Sequence, residues 1–263
     1  MNPEQILALY DEQERKNSEH PCYRREVADG VVRSVSKFPQ RSNYVIYSQL
    51  TEKTADAAIQ AQIDYFAARG SRRFEWKLYA HDTPADLGQR LSAHGLVAAE
   101  EEALLVMDLH NCPNLFLQPV TADVRRVHTR AEFEQIAQIQ AGVWGGDYSW
   151  MAGWLEENLS QQPDFWSIYI AYVNNEPACA AWVSFPQGSQ FAGLWAGSTL
   201  EKFREMGLYT AVVATRAQEA IKRGYRFLMV DASDMSRPIL EKRGFHFMTH
   251  TTPYTWKNPS FEE

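Results

Sequence analysis

The order of apolar and polar residues predicts a chain of alternating strands and helices. Apolar residues spaced by three or four positions indicate amphipathic helices, and short apolar or alternating runs indicate strands. Asp29-Gly30 is a strong hairpin signal, and Gly70 ends the clearest helix of the first half. The first half is predicted to hold a helix over 3–17, strands over 24–28, 31–37 and 44–49, a helix over 54–69, a strand over 73–79, a helix over 84–93 and a strand over 97–109.

The second half ends in a strand–loop–helix–strand–helix unit, an order typical of an open α/β sheet. Ser149 is a candidate helix cap, and Asn174-Asn175 marks a hairpin turn. The predicted elements are a strand over 124–128, helices over 131–144 and 149–159, strands over 166–173, 178–185 and 191–198, a helix from 207 to 224, a strand over 226–232 and a short helix that ends at Gly244-Phe245.

The helix that begins at Gly207 has one apolar face and one charged face. The apolar face is predicted to pack on the sheet and comprises Val213, Ala214, Ala217, Ala220 and Ile221. The charged face is predicted to be structural, with no chemistry assigned, and comprises Arg216, Glu219, Lys222 and Arg223.

The start of this helix is a candidate anion site. The first main-chain amides of a helix have no partner within it, and the helix dipole makes that end partly positive. Gly207 lets a ligand approach the backbone closely, and Arg204 adds a charge that can pair with phosphate oxygens. The alternative is an ordinary helix start, because an isolated R-x-x-G occurs often by chance.

The wider stretch resembles the GNAT family of N-acetyltransferases, which use acetyl-CoA. The family's pyrophosphate loop, [Q/R]-x-x-G-x-[G/A], falls on Arg204, Gly207 and Tyr209, of which Tyr209 departs from the small residue expected last. A preceding pattern, V-x-P-x-[YF]-R, meets Thr199, Glu201, Phe203 and Arg204. A later pattern, N-x-x-A-x-x-x-Y-x-x-x-G-F, meets Ser233, Ser236, Leu240, Gly244 and Phe245, where the Asn and the Tyr are absent.

The resemblance implies an α/β fold (α+β) with a mixed, mostly antiparallel GNAT-like sheet flanked by helices. It also implies transfer of acetyl from acetyl-CoA by direct attack of an amine in a ternary complex. Main-chain groups around 198–200 then align the thioester. The implied cofactor-binding residues are Ser198, Thr199, Leu200, Arg204, Glu205, Met206, Gly207, Leu208, Tyr209 and Ser233.

The catalytic acid and base stay open at this point. The family's donor tyrosine is replaced by Leu240, and Ser236 lies one helical turn earlier as a candidate substitute. The alternative for Ser236 is a bond to a nearby backbone group. No acidic residue lies on the strand over 191–198, and the nearest candidates in the sequence are Asp147, Glu156 and Glu157.

A dense aromatic segment suggests where the acceptor binds. In GNAT-like proteins the segment between the first two helices helps to build the acceptor pocket, and aromatic walls suit an apolar body or an ammonium group. The candidate substrate-binding residues are Trp144, Asp147, Tyr148, Trp150 and Trp195. The alternative is that the tryptophans belong to the core or to an interface.

The two halves of the chain share an order of elements that indicates an internal repeat. Residues 68–96 and 222–245 both run from Arg-Gly through a strand and a short helix to Gly and an apolar residue. We therefore predict tandem units: a degenerate GNAT-like domain over 1–110 without a glycine loop, a linker over 111–119 and a catalytic domain over 120–263. The alternative is that any two α/β segments look alike at this level.

Composition narrows the class of protein. The 263 residues are 45% hydrophobic and 22% charged with a net charge of −7, so nucleic acid is not expected as the main partner. No apolar run could span a bilayer, no signal pattern is present, and the three cysteines are far apart. We expect a cytoplasmic monomer or dimer without a metal, acting on an amine of a small molecule or peptide.

Three hypotheses follow from the sequence. The first is an active acetyl-CoA-dependent N-acetyltransferase. The second is a CoA-binding regulatory module or pseudoenzyme, which the departures at Leu240 and Tyr209 favour. The third is an unrelated α/β interaction domain.

Overall fold

The computed structural model describes residues 1–38 and 41–261, which form two compact units. Unit 1 comprises Met1–Leu105, Asp231–Lys242 and His246–Glu263, and unit 2 comprises Val106–Val230 and Arg243–Phe245. Each unit is described by itself below.

The helices and strands follow the predicted order closely. The first half contains α1 (Pro3–Tyr10, continued by a π-helical turn over Asp11–Lys16), β1 (Tyr23–Ala28), β2 (Val31–Ser36), β3 (Asn43–Ser48), α2 (Ala55–Ala68), β4 (Arg73–Tyr79), α3 (Leu87–Ala93), β5 (Val97–Ala98) and β6 (Glu102–Asp108). The second half contains β7 (Asp123–Arg126), α4 (Arg130–Trp144), α5 (Ser149–Gln161), β8 (Trp166–Val173), β9 (Glu176–Ser184), β10 (Phe191–Thr199), α6 (Leu208–Lys222), β11 (Phe227–Ala232), α7 (Arg237–Glu241) and β12 (His246–Lys257).

Both units contain a mixed, mostly antiparallel sheet, as the resemblance implied. The strand order is β1-β2-β3-β4-β12 in unit 1, with β5 on β12, and β11-β10-β9-β8-β7 in unit 2. Each set of strands includes a parallel pair: β3 with β4, and β10 with β11. In both pairs a helix joins the strands and ends before a glycine with positive φ, Gly70 or Gly224. Each unit therefore contains a βαβ unit, whose second strand opens the repeat predicted over 68–96 and 222–245.

The C-terminal strand pairs with a strand that is distant from it in the sequence. β12 runs antiparallel to β4, from Thr251 opposite Tyr79 to Lys257 opposite Arg73. Trp256 is buried and its ring lies 5.6 Å from that of Phe74. Residues 246–257 therefore group with unit 1, whereas the predicted boundaries placed all of 120–263 together. The linker over 111–119 and a catalytic domain in the second half stay predictions.

Two helix layers cover opposite faces of the unit 2 sheet. Successive residues of a strand point to opposite faces, and β9 shows this clearly. Ala180 and Trp182 pack in the cluster formed with α4 and α5, whereas Cys179 and Ala181 pack with Leu208 and neighbouring residues of α6. The segment between α4 and α5 and the start of α6 are thus attached to different faces of one sheet.

Several general features bear on the partners of the chain. In the described part of the chain, no helix is long and apolar enough to cross a bilayer. The cysteines Cys22, Cys112 and Cys179 are free thiols. Residues 1–38 and 41–261 contain no group of three His, Cys, Asp or Glu side chains that could hold a metal ion.

Candidate functional site

The start of α6 is an open turn in unit 2. Gly207 is the N-cap residue and adopts a left-handed conformation with φ of 77°. Glu205, two positions earlier, also has a positive φ of 63°. A Cβ built on Gly207 would meet no atom within 4 Å, and residues 204–207 are exposed. The backbone at this turn can therefore be approached from outside.

The amides of this turn are unpaired. Among the described residues, none accepts a hydrogen bond from the main-chain N–H groups of residues 205–210. The first intrahelical bond at this end is donated by Ala211 to Gly207. These donors and the helix dipole together favour an anion.

Two exposed charges flank the open turn. Arg204 donates from Nε to the carbonyl of Thr199 over 3.4 Å, and no described carboxylate pairs with it. Its remaining donors are available to phosphate oxygens. Glu205 is the one acidic side chain within 204–209, and its charge opposes an anion.

The strand ahead of this turn contains a β-bulge. β10 pairs with β9 at Trp195 opposite Trp182 and then at Ser198 opposite Ala180, so that the register shifts between them. Ala196, inside the bulge, has a positive φ of 50°. In the described chain, parallel pairing with β11 covers only Phe191–Gly193. β10 therefore changes its course just before the anion site, where a bulge re-aims main-chain groups.

Side chains of α4 hold the bulge on one face. The Gln140 amide donates to the carbonyl of Ala196 over 3.0 Å, and the Ser198 hydroxyl donates to Gln140 Oε1 over 3.0 Å. The same hydroxyl accepts from Trp144 Nε1 at 2.9 Å. Because Gln140 and Ser198 are buried, these bonds replace water at the bulge. The Ser198 hydroxyl is consequently engaged as both donor and acceptor.

Arg216 of α6 holds the bulge on the other face. It is 1% exposed, and its guanidinium donates to the carbonyls of Trp182 at 3.0 Å and Trp195 at 3.4 Å. Burial lowers the pKa of Arg216, and no described carboxylate pairs with it. Arg216 was predicted on the charged face of this helix, opposite the face that packs on the sheet, but its side chain is buried against the sheet. Ile221, predicted to be buried, is 39% exposed.

Tyr209 stands where the family pattern has a small residue, and its larger side chain packs inside unit 2. A Cβ on Gly197 would lie 2.7 Å from Cε2 of Tyr209, so the ring packs directly on this glycine of the bulge. Burial raises the pKa of Tyr209, which keeps the phenol neutral. The large residue fills the space beside Gly197, which has no side chain of its own.

The aromatic segment forms a partly exposed wall on the α4 and α5 face. Trp144, Trp150 and Trp195 are 51%, 57% and 42% exposed. Trp195 donates from Nε1 to the Ser184 hydroxyl over 2.9 Å. The ring contacts of this wall lie at centroid distances of 6.1 to 6.4 Å and join Tyr148 to Trp150, Trp150 to Trp154, Trp154 to Trp166 and Trp182, and Trp166 to Trp195.

Asp147 lies in the break between α4 and α5. Gly145 and Gly146, both with positive φ, form the break that the sequence predicted. The Ser149 amide donates to Asp147 over 2.8 Å, and this bond lowers the pKa of the carboxyl. The N-cap residue of α5 is Tyr148, and Ser149, predicted as the cap, is the first helical residue. Of the other acidic candidates, Glu156 pairs with Arg130 at 3.1 Å.

Ser233 and Ser236, predicted to serve in cofactor binding and catalysis, belong to unit 1. Ser236 precedes α7, and its hydroxyl donates to the carbonyl of Ser233 over 3.2 Å. This is the backbone bond that the sequence offered as the alternative for Ser236. Leu240, at the family's tyrosine position, is buried. The roles of both serines stay predictions.

Sequence reasoning missed Gln140 and Arg216. A signal existed for each, because both lie at helical spacing from apolar residues. Gln140 follows Ile136 by four positions, and Arg216 precedes Ala220 by four. A polar residue at the edge of an apolar stripe can form a buried hydrogen bond within the protein as readily as it can face water.

The fold matches those of solved GNAT proteins. A GCN5-related N-acetyltransferase from Kribbella flavida is 16% identical, with 98% of this chain and 94% of that chain covered at a TM-score of 0.66. A tandem GNAT protein from the clavulanic acid biosynthesis pathway is 11% identical, with 92% and 85% covered at a TM-score of 0.60. A GCN5-related N-acetyltransferase from Sphaerobacter thermophilus is 11% identical, with 97% and 85% covered at a TM-score of 0.58.

No family model and no curated protein matches the sequence. The structural matches nevertheless cover nearly the whole chain. The chain therefore has the GNAT fold, and the tandem architecture predicted from the sequence is confirmed.

Proposed function

We propose that this chain is an N-acetyltransferase that transfers acetyl from acetyl-CoA to an amine. The observation that carries the proposal is the open turn at Gly207, directly after a bulged strand. Among the described residues, the amides over 205–210 have no acceptor and Arg204 has no carboxylate partner. A diphosphate needs converging donors and positive charge, and this turn offers both. Solved proteins of the same fold are described as acetyltransferases.

In this proposal the chain acts mainly by positioning. The turn holds the diphosphate of acetyl-CoA, and main-chain groups at 198–200 align the thioester beside β10. The acceptor nitrogen attacks the thioester carbonyl carbon, the carbon–sulfur bond breaks, and the thiol and an amide are formed. The nitrogen loses its proton to solvent or to a base. The Ser198 hydroxyl is not assigned as that base, because it is a neutral group whose oxygen already accepts from Trp144 Nε1.

Ser236 as the donor to the leaving thiolate and Ser233 as a cofactor contact remain part of the proposal. The proposed acceptor is a small-molecule or peptide amine, and the proposed location is cytoplasmic. A CoA-binding module without transferase activity is the second candidate. It is favoured by Leu240, which cannot donate a proton where the family's tyrosine does.

Substitution at the open turn tests the binding site. Asn tolerates a left-handed conformation, so Gly207→Asn keeps the turn and places a side chain where the diphosphate would lie. Isothermal titration with acetyl-CoA is expected to show a dissociation constant raised by about tenfold or more. Gly224→Asn, at the other end of α6 with φ of 82° and nothing within 4 Å of its Cβ, is the matched control and should bind normally.

Two further measurements separate the candidate functions. Acetyl-CoA at about 100 times its dissociation constant should stabilise the wild type by about 2.7 kcal/mol. Arg204→Glu should remove most of this stabilisation, and normal binding by that variant contradicts the site. Thiol release from acetyl-CoA with a panel of amines then distinguishes an active transferase from a binding module, for which binding persists without release.

A further inference from the structure

A largely buried ion pair joins two parts of unit 1 that are far apart in the sequence. Lys77 of β4 donates from Nζ to Oδ2 of Asp231, the first residue of the segment Asp231–Lys242, and the two residues are separated by 154 positions. Their side chains are 19% and 14% exposed. The Thr251 hydroxyl of β12 donates to Oδ1 of Asp231 over 3.4 Å. Asp231 is therefore held from two strands, β4 and β12, by both of its carboxylate oxygens.

Lys77 lies among three carboxyl groups. Glu75 precedes it by two positions on β4, on the same face of the sheet, and Glu102 lies on β6. Burial raises the pKa of Glu75 and that of Glu102, and the charge of Asp231 raises the pKa of Glu102 further. In the described part of the chain, Asp231 is the one carboxylate that pairs with Lys77.

The charge of Lys77 is therefore needed to hold Asp231 in place. Burial by itself would lower the pKa of Lys77, but the charge of Asp231 outweighs burial and raises that pKa, so the ammonium stays protonated. Without Lys77, the carboxylate of Asp231 would repel the charge of Glu102 with no cation bound to it. A charge that loses its partner in a site poor in water is strongly destabilised, and we expect Asp231 to move.

The ion pair fixes the start of the turn that contains Ser233 and Ser236. Two positions after Asp231, the Ser233 carbonyl accepts from the Ser236 amide at 3.0 Å and from the Ser236 hydroxyl at 3.2 Å. On the other side of the turn, Leu240 of α7 is buried. The turn over 233–236 thus has a fixed residue on each side, and the one that precedes it is Asp231.

We propose that Lys77 is a positioning residue for Ser236, acting through Asp231, and this rests on the proposed function. There the Ser236 hydroxyl donates a hydrogen bond to the leaving thiolate, which requires that it lie within hydrogen-bonding distance of the sulfur as the carbon–sulfur bond breaks. Lys77 belongs to the first predicted domain, 1–110, whereas Asp231 and Ser236 belong to the second, 120–263. The half of the chain without a glycine loop therefore supplies a charge on which the proposed reaction depends.

Variants of Lys77 test the proposal on the full chain. Lys77→Met keeps an unbranched side chain but removes the charge. Thiol release from acetyl-CoA is measured with the amine of the panel that the wild type acetylates fastest. We expect kcat to fall by about tenfold or more, because a displaced catalytic group loses much of its effect, and the dissociation constant of acetyl-CoA to change much less. Lys77→Arg, which keeps the charge, should recover part of kcat.

Arg90→Met is the matched control for the loss of an ion pair in unit 1. The Arg90 side chain is 22% exposed, close to the value for Lys77, and it pairs with Asp86 at 2.9 Å. We expect Arg90→Met to keep the wild-type kcat even where its Tm falls. Asp231→Asn, which keeps an acceptor for Lys77 but removes the negative charge, is the second variant if Lys77→Met does not fold, and it should also lower kcat.

A double-mutant cycle separates positioning from a general loss of stability. Ser236→Ala removes the proposed donor and should lower kcat strongly when Lys77 is present. In the Lys77→Met background the same substitution should lower kcat by much less, because residues that act as a unit have non-additive effects.

The outcomes separate this inference from the proposed function. A Lys77→Met variant with the kcat of Arg90→Met overturns the inference and leaves the transferase intact, and additive effects of Lys77→Met and Ser236→Ala do the same. A Ser236→Ala variant with the wild-type kcat also overturns it, since Ser236 is then not the donor. Absence of thiol release from the wild type with every amine of the panel overturns the proposed transferase itself and, with it, the role of Lys77.

Discussion

At the scale of single residues, the β10 bulge depends on two buried polar side chains from opposite helices. Gln140 satisfies the carbonyl of Ala196 from one face, and Arg216 donates to the carbonyls of Trp182 and Trp195 from the other. A buried guanidinium without a carboxylate is costly to hold, because its charge loses water. Arg216 fixes the carbonyls of Trp182 and Trp195 beside the bulge, and under the proposed function these contacts position β10 for the thioester.

Arg216→Met tests this positioning role. The variant removes a buried charge but leaves the carbonyls of Trp182 and Trp195 without that donor, a loss of about 1–3 kcal/mol that the relieved desolvation partly offsets. We expect a lower Tm and a KM for acetyl-CoA raised several-fold, with Arg216→Lys recovering part of the KM effect. Lys222→Met, on the same helix and exposed, is the control. An Arg216→Met variant whose KM equals that of the control contradicts the role.

Residue patterns predicted the roles of Gly207 and Arg204 in this site but not the contacts of Arg216. Gly207 and Arg204 were identified because positive φ and phosphate pairing each favour particular residue types. Arg216 was assigned to solvent because charge usually marks the wet face of a helix. Its actual partners are carbonyls that the bulge brings within reach, and the bulge leaves no mark on hydrophobic periodicity.

At the scale of elements, local sequence patterns predict that β12 is a strand but not which strand it pairs with. Its extended pattern marks a strand, but nothing local indicates that the partner is β4, about 175 positions earlier in the chain. The predicted domains, 1–110 and 120–263, therefore place these two paired strands in different domains. By contrast, the helix of each repeated βαβ unit was predicted within two residues at its start and end, because its period and terminal glycine are local signals.

Truncation of Trp256 tests the attachment of β12. Its ring is buried in the unit 1 core beside Phe74, so Trp256→Ala should cost about 3–5 kcal/mol of unfolding free energy. Phe247→Ala, at a 36% exposed position of the same strand, is the control and should cost much less. Calorimetry should show the lower transition temperature only for the first variant. Equal shifts for both variants contradict the packing described for β12.

At the scale of the whole molecule, the repeated βαβ unit of unit 1 differs from that of unit 2 at the position of the open turn. The segment before α2 contains no glycine, and its Thr51 amide donates to the Thr54 hydroxyl over 2.9 Å. Arg15 lies next to the end of the paired part of β3, where it donates to the carbonyl of Ile46. It also pairs with Asp82 at 2.7 Å and is 1% exposed. Its guanidinium also lies 3.7 Å from the centroid of the Tyr79 ring.

These contacts predict one acetyl-CoA per chain rather than two. In unit 1, Arg15 and its partners Ile46 and Asp82 lie at the ends of the parallel strands β3 and β4. A buried ion pair such as Arg15–Asp82 is costly to open, because each charge would lose its partner. Titration of the 263-residue chain with acetyl-CoA should therefore give a stoichiometry of one. Arg204→Glu should weaken this binding strongly, whereas Arg69→Glu, beside Gly70 of the unit 1 repeat, should leave it unchanged. A stoichiometry of two, with one of the two sites unaffected in Arg204→Glu, would mean that unit 1 also binds the thioester despite Arg15.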